Sequence, residues 1–136
     1  MAALVTFELV SPERLLASMQ ASQVVVPGEE GDFGVLSGHM PVMSTLRPGV
    51  VEVSEDGKAE PTKLFVGGGF VEVADDRVTI LAEDALALTD ADAEKTARDL
   101  SDAREDLADA KTDHEKHLFQ VKVKKLEALS EILARQ

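Results

Sequence analysis

Three places in the sequence bring together residue types able to do chemistry. Gly67-Gly68-Gly69 has the composition of a phosphate loop, in which backbone amides cradle an anion. No Gly-Lys-Ser/Thr follows, and the next residues, Phe70-Val71-Glu72-Val73, read as a strand. The helix N-terminus whose dipole and amides would hold phosphate is therefore missing. The triplet reads as a tight turn, or a bulge where two backbones approach. A second place, Gly28-Glu29-Glu30-Gly31-Asp32-Phe33-Gly34, has glycine at every third position. Its three carboxylates repel an anion, so it is no nucleotide cradle. The third is the pair His114 and His117, one helical turn apart beside Asp113. Two imidazoles and a carboxylate make at most a partial metal site, and no further ligands stand out. His39, between Gly38 and Met40-Pro41, reads as a packing or hydrogen-bonding residue in a loop. No Ser/His/acid order and no isolated acid–base pair of carboxylates appears. These residues do not describe an isolated enzyme, and they imply no catalytic residue, metal or cofactor.

The elements that carry them change character at residue 69. All nine glycines and all five prolines lie in the first 69 residues. Because Gly and Pro punctuate turns, the first part reads as many short elements and the end as uninterrupted helix. Thr6–Val10, Gln23–Val26, Val50–Val53, Leu64–Val66, Phe70–Val73 and Val78–Leu81 are strand-like runs bounded by turn residues. Short, β-branched runs at a spacing of about 8–12 residues indicate an antiparallel sandwich or barrel. No amphipathic helix separates them, which argues against a parallel βαβ sheet.

From Asp90 the period becomes helical. Ala93, Ala97, Leu100, Ala103, Leu107 and Ala110 form one stripe, with Thr89 or Asp90 as the expected N-cap. Phe119, Val123, Leu126, Leu129 or Ser130, and Leu133 form a second, bulkier stripe. A join near Lys111 to Glu115 makes these a hairpin, although one continuous helix also fits the pattern. The charges differ in the same sense: residues 90–113 carry nine acids and four bases, residues 114–136 three acids and five bases. The expected architecture is thus a β-sandwich over 1–88 followed by an antiparallel α-helical hairpin over 89–136.

Composition narrows the partners. The 136 residues carry a formal charge of −12, which repels nucleic acid and anionic headgroups. There is no Cys, Trp or Tyr, which removes disulfides, thiol chemistry and the best stacking platforms. No apolar run approaches the roughly 20 residues that span a bilayer. Nothing at the start reads as a secretory or transit sequence, so the chain is expected on the cytosolic side.

The stretch Val24-Val-Val-Pro-Gly-Glu-Glu-Gly-Asp-Phe-Gly-Val-Leu-Ser-Gly-His-Met-Pro41 resembles the epsilon subunit family of bacterial rotary F-type ATP synthases, whose mitochondrial counterpart is called delta. Leu46-Arg47-Pro48-Gly49-Val50, Phe65–Val73 and Val78–Glu83 fit the same family in order. The resemblance implies a ten-stranded β-sandwich and a helical hairpin, placed in the central stalk between the gamma subunit and the membrane ring of c subunits. It implies a rotor subunit that couples proton flow to ATP synthesis and does no chemistry itself, on the cytoplasmic face of the bacterial plasma membrane. By motif, the acidic turn Glu29, Glu30, Gly31 and Asp32 faces the ring, whose polar loops carry an arginine. His39, Met40, Pro41, Val42, Met43 and Ser44 fall near gamma and the ring.

The hairpin has two further readings. Its bases Lys116, Lys122, Lys124, Lys125 and Arg135 would reach acidic surface on the alpha and beta subunits and inhibit ATP hydrolysis. Family members that bind ATP there begin the first helix with Ile/Leu-Asp-x-x-Arg-Ala, whereas this chain has Thr89-Asp90-Ala91-Asp92-Ala93-Glu94. Asp90 is kept, but the arginine that would pair with phosphates is absent and two acids are added, so no ATP cofactor is expected. A stand-alone β-sandwich ligand-binding or enzyme domain with a dimerising hairpin is the alternative.

Overall fold

The computed structural model describes residues 3–136. The chain divides into two compact units, one ending at Thr89 and the other Asp90–Gln136. Eight strands make up the first: β1 (Val5–Val10), β2 (Leu15–Ala21), β3 (Gln23–Gly28), β4 (Gly31–Val35), β5 (Val42–Ser54), β6 (Thr62–Ala74), β7 (Arg77–Leu81) and β8 (Ala85–Ala87). They run in the order β2-β1-β7-β6-β5-β3-β4, with β8 also paired to β6. The architecture is the expected β-sandwich. Each of β5 and β6 has 13 residues; β6 exchanges β8 for β7 along one edge and the pairing of β5 with β3 is broken between Glu52 and Leu46, so the sandwich is built from eight strands, two of them long, rather than the ten the resemblance implies.

One pairing departs from the antiparallel expectation. β1 lies parallel to β7, with Thr6 opposite Arg77 and Val10 opposite Leu81. All other pairs are antiparallel. Alternation along the strands sends Val5, Phe7 and Leu9 inward with Val24, Val26, Val51, Val53, Val71, Val73, Val78 and Ile80, all buried in one core.

The glycine triplet sits inside β6, not in a loop. Residues 70–74 pair with β7, residues 64–66 with β8, and Gly67–Gly69 is where the strand passes between these partners. Gly69 has φ 143°, and a Cβ there would lie 2.2 Å from the Leu81 carbonyl oxygen. The close backbone approach read from the sequence is therefore present, but within a strand. The β6–β7 hairpin turns on Asp75 and Asp76, both at positive φ (52° and 58°). This conformation matches strand twist and ordinarily falls to Asn or Gly; the chain has no Asn.

The second unit is two helices, α1 (Ala93–Asp109) and α2 (Asp113–Ala134). Between them, residues 110–112 form a short connection, so the hairpin rather than the continuous helix is the fold. Leu100, Ala103 and Leu126 form its core with Val123 against them. Arg104 bonds Glu127 across the pair at 3.2 Å. The N-cap is Asp92, not Thr89 or Asp90: its carboxylate accepts from the Glu94 and Lys95 amides at 2.9 and 3.1 Å. Leu88–Asp90 instead forms a 3-10 turn ahead of the helix. Thr96 is buried while Ala93 and Ala97 are exposed, so the buried stripe opens on Thr96 and then runs through Leu100 and Ala103 as the spacing predicts. Burial of Thr96 is tolerable because its hydroxyl donates to the Asp92 carbonyl at 2.8 Å.

Candidate functional site

The acidic turn proves to be the tip of a regular hairpin. β3 and β4 pair from Val24–Val35 down to Gly28–Gly31, leaving Glu29-Glu30 as a two-residue connection. Neither glutamate is left-handed; the positive φ falls on Gly31 (143°), where no Cβ resists it. Space is short inside the tip, since a Cβ on Gly28 would stand 2.6 Å from the Gly31 carbonyl oxygen. Glu29, Glu30, Gly31 and Asp32 are all exposed.

The three acids of the tip differ in the partners they find within the chain. Glu29 accepts a hydrogen bond from the Thr45 hydroxyl, and its amide donates to the Thr45 carbonyl at 3.1 Å. Asp32 is ion-paired with Arg47 of β5. Only Glu30 of the three has no partner among the described residues. Arg47 and Thr45 were missed in the sequence because a pairing across 15 or 16 positions leaves no local pattern.

Beside the tip lies an open groove of about 890 Å³, walled by residues 28–31, Phe33, His39 and residues 42–45. His39 stacks on Phe33 with ring centroids 6.3 Å apart, and its Nδ1 lies 2.6 Å from the Met40 carbonyl oxygen. His39 is thus a packing and hydrogen-bonding residue. Met40 and Met43 are 80% and 65% exposed, with Leu36 also exposed nearby in sequence, whereas Val42 and Ser44 are half-buried and Pro41 exposed. The loop is held from the opposite hairpin: Asp76 accepts from the Gly38 amide at 2.7 Å and from the Ser37 hydroxyl at 3.3 Å. The groove mixes carboxylates, hydroxyls and soft apolar side chains, which suits a peptide surface carrying cationic and apolar groups. It holds no arranged nucleophile or base.

The helical candidates are more dispersed. Lys116, Lys122, Lys124 and Arg135 are exposed and Lys125 is half-buried. At about 100° per residue they are spread around α2 and its C-terminal end rather than gathered on one face. Asp90 closes the 3-10 turn, the Asp92 carboxylate is taken up in capping, and Lys95 pairs with Asp99 at 3.1 Å. His114 and His117 are exposed. Among the described residues no group of three or more His, Cys, Asp or Glu is arranged to hold a metal, and no helix is long and apolar enough to cross a membrane.

Comparison with known proteins gives the chain its family. The model of the ATP synthase delta/epsilon chain β-sandwich domain matches residues 4–88. The ATP synthase epsilon chain of Maricaulis maris is 54% identical over 94% of this chain and 95% of its own. The chain belongs to the ATP synthase delta/epsilon family. The epsilon chain of Parvibaculum lavamentivorans is 48% identical over 97% of both chains. Epsilon subunits of this family are non-catalytic members of their complexes. Among solved structures, a chain of the Euglena gracilis mitochondrial ATP synthase OSCP/F1/c-ring assembly superposes with a TM-score of 0.80 at 26% identity, over 96% of this chain and 82% of that one. A chain of the Tetrahymena thermophila ATP synthase central stalk and c-ring shares the fold, with a TM-score of 0.61 at 14% identity over 94% of this chain and 95% of that one. The epsilon family is thus shown over nearly the whole length, hairpin included.

Proposed function

We propose that the chain is a rotor subunit of a proton-translocating ATP synthase, joining gamma to the c-ring and coupling proton flow to ATP synthesis. The observation that carries this is the likeness to epsilon chains, 54% and 48% identical over nearly the whole length. The exposed β3–β4 tip faces the ring, and the loop from His39 to Ser44 lies near gamma and the ring. The complex is peripheral to the membrane, on the cytoplasmic face of the bacterial plasma membrane. The helical hairpin restrains ATP hydrolysis by reaching the alpha and beta subunits through exposed bases of α2. Because those bases are dispersed, the contact would be made by a helix surrounded by partners.

A reconstituted complex tests both parts. Restoring the full chain to an enzyme that lacks it should re-establish coupling and co-elution with gamma. A chain ending at Thr89 should restore coupling equally but give faster ATP hydrolysis. Failure to co-elute with gamma would remove the rotor assignment, and equal hydrolysis by the two forms would remove the inhibitory one.

ATP itself is not a ligand in this reading. The first turn of α1 offers Ala93 where a phosphate-pairing arginine would stand, Asp92 adds negative charge, and Lys95 is engaged by Asp99. Calorimetric titration of the isolated chain should give no heat of binding at submillimolar ATP; a micromolar affinity would refute this.

A further inference from the structure

The pairing of β3 with β5 is interrupted, and Arg47 stands where it resumes. After Val25–Glu52, the next pair is Gly28–Leu46, so Val26 and Pro27 face the longer segment of residues 47–51. Pro27 and Pro48 have no amide hydrogen to give to a ladder. Gly49 is pressed on Pro27, since a Cβ there would stand 2.8 Å from the proline Cβ. Beyond this gap Arg47 turns its guanidinium to the hairpin tip: Nη1 donates to the Gly28 carbonyl oxygen at 2.5 Å, and Nη2 donates to Asp32 Oδ1. One planar fork thereby ties β5 to both arms of the acidic hairpin, which a lysine's single ammonium point charge does less well. The Asp32 side chain is still 60% exposed, and no hydrogen bond within the described residues takes its Oδ2.

We propose that Arg47 is the positioning residue of this hairpin, holding Asp32 by one carboxylate oxygen so that the other is presented to a cationic side chain of the partner. The partner is the arginine- or lysine-bearing loop of the c-ring, and this rests on the ring-facing reading of the tip proposed above. Arg47 does not itself touch the partner; it sets the direction of Asp32 and stiffens the hairpin. It also explains how a carboxylate beside a fixed cation remains useful: its second oxygen keeps a lone-pair face toward solvent.

Three variants of the full chain separate the possibilities, namely Arg47→Gln, Asp32→Asn, and the exchange Asp32→Arg with Arg47→Asp. Amide hydrogen exchange over residues 28–35 reads the brace in the free chain. Affinity of the gamma-bound chain for purified c-ring reads the presentation. Arg47→Gln should speed exchange in the hairpin several-fold and weaken ring binding by about two- to fivefold, the ceiling for an exposed ion pair, with gamma affinity unchanged. The exchanged pair keeps the ion pair but has no donor for the Gly28 carbonyl, so it should restore slow amide exchange only in part, and it should not restore ring binding, because the outward group is now cationic. Unchanged exchange in Arg47→Gln would overturn the brace. Faster exchange with ring affinity intact, while Asp32→Asn weakens it, would overturn the positioning role and leave the ring-facing reading standing. If neither single variant weakened ring binding, the ring-facing reading would fall, and the proposal with it. Recovery of ring binding by the exchanged pair would overturn the presented oxygen, making Asp32 purely structural.

Discussion

Replacing Gly69 with alanine should unfold the sandwich at temperatures where the wild-type chain is intact. The new Cβ would meet the Leu81 carbonyl oxygen at 2.2 Å, with the Ala82 Cα at 3.2 Å, and both are backbone. No side-chain rotation can relieve such a contact, so β7 must separate from β6 or the strand must change its path. The residue also holds φ 143°, a region nearly closed to side chains. Strain and lost ladder together come to about 3–5 kcal/mol, and for a unit of this size that is about 15 °C or more in melting temperature. Gly68 makes an internal comparison. It has φ 106°, but its Cβ would meet only the Leu46 carbonyl oxygen at 3.6 Å, ordinary contact distance. Gly68→Ala should cost about 1–2 kcal/mol from backbone strain alone. Thermal melts of the two variants followed by circular dichroism check the ordering. Equal, small shifts would mean that β6 and β7 are not locked at this point.

The second large effect belongs to the helical unit. Ala103 is fully buried against Leu100 and Leu126, and its methyl group is what allows α1 and α2 to approach. Glutamate there would bury a carboxylate with no cation in that cluster, costing about 3 kcal/mol or more before the helices part. The exposed Arg104–Glu127 bond contributes about 0–1 kcal/mol and cannot hold the pair. Ala103→Glu should therefore abolish the hairpin's cooperative melting. The sandwich should melt as before, because its main core is drawn from residues 5–82 with partly buried neighbours no later than Ala87. In the assembled enzyme the same variant should hydrolyse ATP like the chain ending at Thr89. Retention of a sharp helical transition would show that Ala103 is not the point of closest approach.

Sequence reading recovered the strands that advertise themselves and missed those that do not. β1 and β7 are β-branched and apolar runs with clean alternation, and β3 opens on three successive valines. β2, Leu-Leu-Ala-Ser-Met-Gln-Ala, has no β-branched residue and lies at the sheet's edge, where packing asks less of composition. β4, Gly-Asp-Phe-Gly-Val, looked like a turn because its glycines were read as punctuation. In β5 and β6 the internal Pro48-Gly49 and Gly67–Gly69 read as strand ends, whereas the first marks a break in the pairing of β5 with β3 and the second the point where β6 exchanges β8 for β7. The helical period was legible, but the cap lay two or three residues later than expected: Leu88 is buried and occupies a separate 3-10 turn. The acidic tip was located from sequence alone. Its internal partners were not, since Thr45 and Arg47 reach it through register, and register depends on the Pro27 and Pro48 interruptions.

The parallel seating of β1 has a consequence for how the chain is born. Both long edges of β1 are occupied, one by β2, which follows at once, and one by β7, synthesised much later. The Thr6 amide bonds the Asp76 carbonyl at 2.9 Å, the Ala82 amide bonds the Val10 carbonyl at 3.0 Å, and Glu8 is ion-paired with Arg77. During translation the β1–β2 ribbon therefore emerges with one bare edge, a template for mispairing with a neighbouring nascent chain. Closure must wait for residues 77–82, and the long-range pairing makes it a slow step.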